Sequence, residues 1–192
     1  MDDLEWLATR VGTSLLGGRP PFSVDTVHSV GTVDPAPRAA GVVVEPTHVA
    51  AAARLGVPVV AVIGWPTGRH HSVIKAAEAR LSAETGASEV WLAVDAELAE
   101  DSAVLADVIA VRQALPPGTL FGVIPGASAA AVQAAHQVGA DALAVSADMD
   151  IPDAAVPVAV YGGPDDLDSI IAALEAGAAR VYPGRVKQRD CA

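Results

Sequence analysis

At 192 residues, 52% of them hydrophobic, the chain is long enough for one domain with a substantial core and too apolar for disorder. Its formal net charge of −11 argues against the phosphate backbones of nucleic acids and against anionic membrane surfaces as partners, while a small phosphorylated ligand can still be held by a local cluster of N–H groups. One cysteine, Cys191, excludes an internal disulfide; no stretch reaches the ~20 apolar residues of a membrane helix; and the acidic start Met1-Asp2-Asp3-Leu4-Glu5 lacks a secretory pattern, which makes the cytoplasm the expected location.

Leu4, Leu7, Ala8, Val11 and Leu15 recur at helical spacing and predict an N-terminal helix over 4–16, stopped by Gly17-Gly18 and Pro20-Pro21. Residues 22–27 and 30–33 read as strand pieces, and Asp34-Pro35-Ala36-Pro37 as a loop. From residue 41 short Val-rich runs alternate with Ala-rich helical ones. Strands are predicted at 41–44, 58–63, 89–94, 119–124, 142–145, 156–161 and 179–182. Helices are predicted at 47–55, 71–85, 103–115, 128–138 and 165–176. The strand runs are apolar throughout, so both faces are buried, as in a parallel sheet of βαβ units. Helix ends such as Glu84-Thr85-Gly86-Ala87 and Glu175-Ala176-Gly177-Ala178 place glycine where a left-handed cap is needed.

Seven strands follow residue 41, and an eighth within 22–33 would close a barrel. Such barrels usually take about 250 residues. The reading is therefore a single domain over 1–192, an α/β fold of shortened (β/α)8 TIM type with parallel strands and reduced outer helices. Residues 1–40 form a divergent helix and loop, 147–155 carry no helix, and 183–192 are too short a tail for a closing helix. An open, doubly wound sheet is the alternative.

Several strings resemble deoxyribose-phosphate aldolase, a class I aldolase on a (β/α)8 barrel. They are Val44-Glu45-Pro46-Thr47-His48-Val49, Val60-Ala61-Val62-Ile63-Gly64-Trp65-Pro66-Thr67-Gly68, Val73 to Arg80, Gly86-Ala87-Ser88-Glu89-Val90, Val104 to Arg112, Gly139-Ala140-Asp141, and Gly162-Gly163 before Leu167. The resemblance runs from about residue 41 to 182. It implies a Schiff-base lysine on strand six, but Ala144 stands there. A second family lysine on strand seven falls on Ala159, a proton-moving aspartate on strand four falls on Trp91, and a strand-five lysine falls near Gly122. The chain has two lysines, Lys75 and Lys187, neither at the barrel mouth by this alignment. An imine needs a side-chain amine, so class I lysine chemistry is expected to be absent. The family's phosphate turns are altered as well. Gly162-Gly163 is kept but runs into Pro164-Asp165, and Tyr182-Pro183-Gly184-Arg185 replaces a small polar turn, with Arg185 as a forked cation.

In such a barrel the strand ends form the site. The ligand-binding candidates are Glu45, Trp65, Asp95, Ser146, Asp148, Tyr161, Gly162, Gly163, Gly184 and Arg185. Three readings follow. The chain is a binding or structural protein with Trp91 filling the old site. Or it is a different lyase-type enzyme using Glu45, Asp95 and Asp148 as bases or as oxygen ligands of a divalent metal. Or it is a homo-oligomer or partner subunit, docking through the apolar flank that a missing last helix exposes. A sugar or phosphorylated small molecule is the expected ligand. Neither a cofactor nor a metal is predicted, since no metal-spaced Cys/His cluster and no serine–histidine triad occurs.

Overall fold

The computed structural model describes residues 6, 7, 9–18, 20, 22, 40–98 and 100–184. Eight parallel strands lie side by side in chain order: β1 (Thr13–Ser14), β2 (Val42–Val44), β3 (Val59–Ile63), β4 (Glu89–Ala93), β5 (Leu120–Ile124), β6 (Ala142–Ser146), β7 (Val158–Tyr161) and β8 (Arg180–Tyr182). The ring closes between its first and last members. Val11 bridges Val181 in parallel, Gly12 N donates to Val181 O at 2.8 Å, and Ser14 N donates to Pro183 O at 2.8 Å. Among the described residues each strand of the sheet thus has a neighbour on both sides.

The outer layer consists of α1 (Val49–Ala52, flanked by 3-10 turns), α2 (Ser72–Thr85), α3 (Asp101–Ala114), α4 (Ala129–Gln137) and α5 (Leu167–Glu175). No helix joins β6 to β7, as the Pro152-containing stretch predicts. Strand alternation divides the apolar residues into two cores. Val42, Val44, Ala61, Ile63, Val90, Leu92, Phe121, Val123, Leu143 and Val145 face the helices. Val43, Val60, Val62, Trp91, Ala144, Ala159, Tyr161 and Tyr182 face the barrel lumen.

The N-terminal expectation is corrected. Thr13–Ser14 is strand, not helix, and it is the first of the eight described strands. Residues 23–33 lie outside the described residues. Apolar spacing misleads here because Val11 and Leu15 also fit a strand of period two. They face the outer core, while Leu16 joins the lumen cluster. A Cβ on Gly12 would collide with the Tyr182 ring, so only glycine lets β1 lie this close to β8. Glycine followed by a β-branched residue is also a poor helix interior.

The expected bare flank is corrected too. On the outer faces of β1 and β8, Val11, Leu15 and Val181 are buried, and Leu7 packs against the same cluster.

Candidate functional site: a filled barrel lumen

The chain has three Trp, two Tyr and two Phe, and four of these seven rings form a column through the barrel. Tyr182 meets Trp91 edge to face at 5.4 Å between centroids. Trp91 meets Tyr161 at 6.1 Å, and Tyr161 meets Trp65 at 5.7 Å, again edge to face. Such geometries pair positive ring edges with negative faces. Trp91 has no solvent exposure and is the largest fully buried side chain. Its place is made by β5, where a Cβ on Gly122 would run into the indole.

Below the column lies a polar network at the N-terminal end of the strands. Glu89 Oε1 accepts from Trp91 Nε1 at 2.6 Å and from Arg180 Nη2 at 2.7 Å, and Glu89 Oε2 accepts from Arg180 Nη1 at 2.6 Å. Arg180 also donates to the Tyr182 hydroxyl at 3.1 Å, which donates to Ala40 O at 2.8 Å. Burial pulls the Arg180 guanidinium down, but the Glu89 hydrogen bond, with Tyr182 and the Glu89 charge behind it, outweighs burial and holds it above its usual range. Burial, chiefly, pushes the Tyr182 phenol up. The Arg180 fork is bidentate and uses both Glu89 carboxylate oxygens.

Ala144 and Ala159 are register partners on β6 and β7, both buried in the lumen cluster that contains Trp91. Lys75 lies elsewhere. It projects from α2 into the space between α2 and α3, fully buried, where Nζ donates to Asp107 Oδ2 at 2.6 Å and to Ala93 O at 3.2 Å. Lys187 and Arg185 lie outside the described residues.

At the mouth, Tyr161 is buried and Trp65 half-buried, the phenol pushed up by burial and then by the nearby Asp148 charge. Trp65 rides on a loop tied to α2, because Gly64 N donates to Glu78 Oε2 at 2.9 Å. The candidate acids tie loops together. Glu45 accepts from Gly17 N at 2.6 Å and lies 3.2 Å from His48 Nδ1. Asp95 accepts from Arg69 Nε at 3.4 Å and from Glu97 N at 3.0 Å. Ser146 is half-buried, its carbonyl receiving Met149 N at 3.0 Å. Among the described residues no group of three His, Cys, Asp or Glu is placed to share a metal ion.

The glycine turns occupy the expected place but are occupied with closing the barrel. Gly162, Gly163 and Gly184 all have positive φ. Gly162 N donates to Tyr182 O at 2.9 Å and Gly184 N to Gly163 O at 3.3 Å. A Cβ on Gly163 would meet Ala147, and one on Gly184 would meet the Ser14 carbonyl, so glycine is required by packing as well as by φ. Asp166, one of the two acids after the Gly-Gly pair, caps α5. Its carboxylate accepts from Ser169 N at 2.9 Å and Ser169 Oγ at 2.8 Å, which holds it below the usual range.

No family model matches the chain. Among curated proteins it is 42% identical over 86 residues to a deoxyribose-phosphate aldolase of Nocardia farcinica, covering 43% of this chain and 39% of that one. It is 41% identical over 90 residues to a deoxyribose-phosphate aldolase of Corynebacterium jeikeium, covering 42% and 36%. This chain is similar in sequence to deoxyribose-phosphate aldolases. The aligned segment spans less than half of those relatives' own length. Among solved structures, a deoxyribose phosphate aldolase from Aeropyrum pernix matches with a TM-score of 0.68 at 22% identity, covering 92% of this chain and 86% of that one. That likeness bears on the barrel fold. Among the described residues no helix is long and apolar enough to cross a membrane.

Two features escape sequence reasoning. Glu89 and Arg180 sit 91 positions apart and carry no local pattern. Ser14, buried with no partner for its Oγ, hides inside a stretch that reads as helix.

Proposed function

We propose that this chain is a barrel of deoxyribose-phosphate-aldolase descent that does not perform class I lysine chemistry and serves instead as a small-molecule-binding or partner protein. One observation carries the reading. The Trp91 indole occupies the lumen beside Ala144 and Ala159, where an imine-forming amine and its substrate would have to meet. The described lysine, Lys75, is turned to Asp107 and to Ala93 O between α2 and α3, away from the lumen cluster that holds Ala144 and Ala159. The Glu89–Arg180 network adds a second argument. Catalytic groups of such barrels gather at the C-terminal strand ends, whereas this network sits at the opposite end and is internally saturated.

A ligand on this reading binds above the column, against Trp65 and Tyr161, as a sugar or phosphorylated small molecule. The strand-end acids favour no catalytic or metal role, since Glu45 and Asp95 are held by loop contacts. The test follows deoxyribose 5-phosphate by phosphorus NMR in the presence of the protein. The expected result is no consumption over hours, together with a saturable thermal shift from a sugar phosphate. Steady consumption that persists with a chelator, is absent from the heat-killed control and is abolished by Lys75→Met or Lys187→Met would overturn the reading.

A further inference from the structure

The chain has three indoles and two phenols, the rings that give up an electron most readily, and four of these five stand in the lumen column. Both phenylalanines, whose rings resist oxidation, lie elsewhere, Phe22 against His48 and Phe121 near Arg112. Filling a lumen requires no N–H or O–H group. A buried Trp or Tyr brings one that must be satisfied, whereas Leu or Phe would fill the same space without that demand.

The column has two unlike ends. Trp65 is half-buried at the mouth, while Trp91, Tyr161 and Tyr182 are at most 3% exposed. An indole or phenol that loses an electron becomes strongly acidic, so the radical settles where a base stands ready. Trp91 has one, since its Nε1 donates to Glu89 Oε1 at 2.6 Å. Tyr182 is placed worse. Its hydroxyl donates to the Ala40 carbonyl at 2.8 Å and receives Arg180 at 3.1 Å. A carbonyl takes up no proton at neutral pH, and the guanidinium opposes further positive charge.

We propose that the column is a one-electron relay, with Trp65 as the entry for an outer-sphere oxidant and Trp91 as the resting place of the radical. The oxidant, a diffusing radical of the peroxyl class, takes one electron from the Trp65 indole and is reduced to its anion. Trp91 returns that electron to Trp65 across the Tyr161 ring, and its Nε1 proton passes to Glu89. The products are the reduced oxidant, a neutral Trp91 radical and an uncharged Glu89, so charge and electrons balance. Arg180 keeps 25% of its side chain in solvent, which hydrates the charge that Glu89 no longer offsets. The relay stands apart from the ligand-binding reading, because it uses neither a lysine nor a bound small molecule.

The test uses the full chain carrying Trp6→Phe, which removes the one indole outside the column. Photogenerated tris(bipyridine)ruthenium(III) is the oxidant, and the radical is followed by transient absorption and, after freezing, by electron paramagnetic resonance. The expected signal is a long-lived neutral indolyl radical. Trp65→Phe should abolish it by closing the entry. Trp91→Phe should leave only a short-lived radical at Trp65. Glu89→Gln keeps the shape of the network without its base and should convert the signal to that of an indole radical cation. Circular dichroism melts establish that each variant is folded, and should Trp91→Phe fail to fold, the Trp65→Phe and Glu89→Gln arms decide. Absence of the radical from the parent, a long-lived indolyl radical that survives Trp91→Phe, one formed equally well without Trp65, a neutral radical unchanged in Glu89→Gln, or a phenoxyl signal in its place would each overturn the proposal.

Discussion

Two buried ion pairs lie on either side of the same strand wall, and they are built differently. Inside the barrel, Glu89 and Arg180 meet through two parallel bonds of 2.6 and 2.7 Å, and Trp91 takes up further acceptor capacity on Glu89. Outside it, Lys75 meets Asp107 through one bond of 2.6 Å, while Asp107 Oδ1 has no partner. Arg180 keeps a quarter of its side chain in solvent, whereas both members of the outer pair are almost wholly enclosed. The lumen pair is therefore saturated and tolerant, and the outer pair is unsaturated and dependent on its partner. The difference is one of saturation: both carboxylate oxygens of Glu89 are met inside the lumen, whereas Asp107 Oδ1 is left without a partner outside it.

The largest effect is expected from Lys75→Met. It strands the Asp107 carboxylate and is expected to cost about 4 kcal/mol in denaturant unfolding. Adding Asp107→Leu should recover most of that loss, because an apolar pair of similar volume replaces an uncompensated charge. Trp91→Ala comes next, at about 3 to 4 kcal/mol, as expected for a large core truncation. The cavity it leaves should raise the melting temperature of that variant in the presence of benzene, with no such rise for the unaltered chain. Glu89→Gln keeps the shape of the network and removes its charge. With Arg180 able to hydrate, the expected cost is about 2 kcal/mol. A cost equal to that of Lys75→Met would erase the distinction between the pairs.

The smallest effect concerns the α5 cap. Asp166→Ala should lower the melting temperature slightly at neutral pH. The Asp166 carboxyl is held below its unfolded range by Ser169, so its contribution is present above about pH 4 and is lost as acid protonates it. The melting temperatures of the two proteins should therefore converge on acidification.

Much of this architecture is legible in the sequence from residue 41 onward. Uninterrupted apolar runs such as Val59–Ile63 declare strands buried on both faces, and Gly86 and Gly177 mark the helix ends before the next strand. The eighth strand comes from Thr13–Ser14, inside a stretch that reads as helix. Leu7, Val11 and Leu15 satisfy a helical period, but only long-range pairing with Val42 and Val181 decides that Thr13–Ser14 is strand. The site was legible in part. Trp91 and Tyr161 stand out as rare aromatics on strands, and their column follows from inward alternation. The Glu89–Arg180 fork was not legible, because its members come from strands four and eight and meet only once the ring closes. The strand-end acids read as chemistry, yet Glu45 and Asp95 are drawn into loop contacts that depend on where Gly17 and Arg69 lie in space.

The proposed absence of an imine-forming amine is put to the test by reductive trapping. The purified chain is mixed with deoxyribose 5-phosphate and sodium borohydride, and its intact mass is measured. The expected mass is that of the unmodified chain. A stoichiometric adduct mapped to one lysine would contradict it.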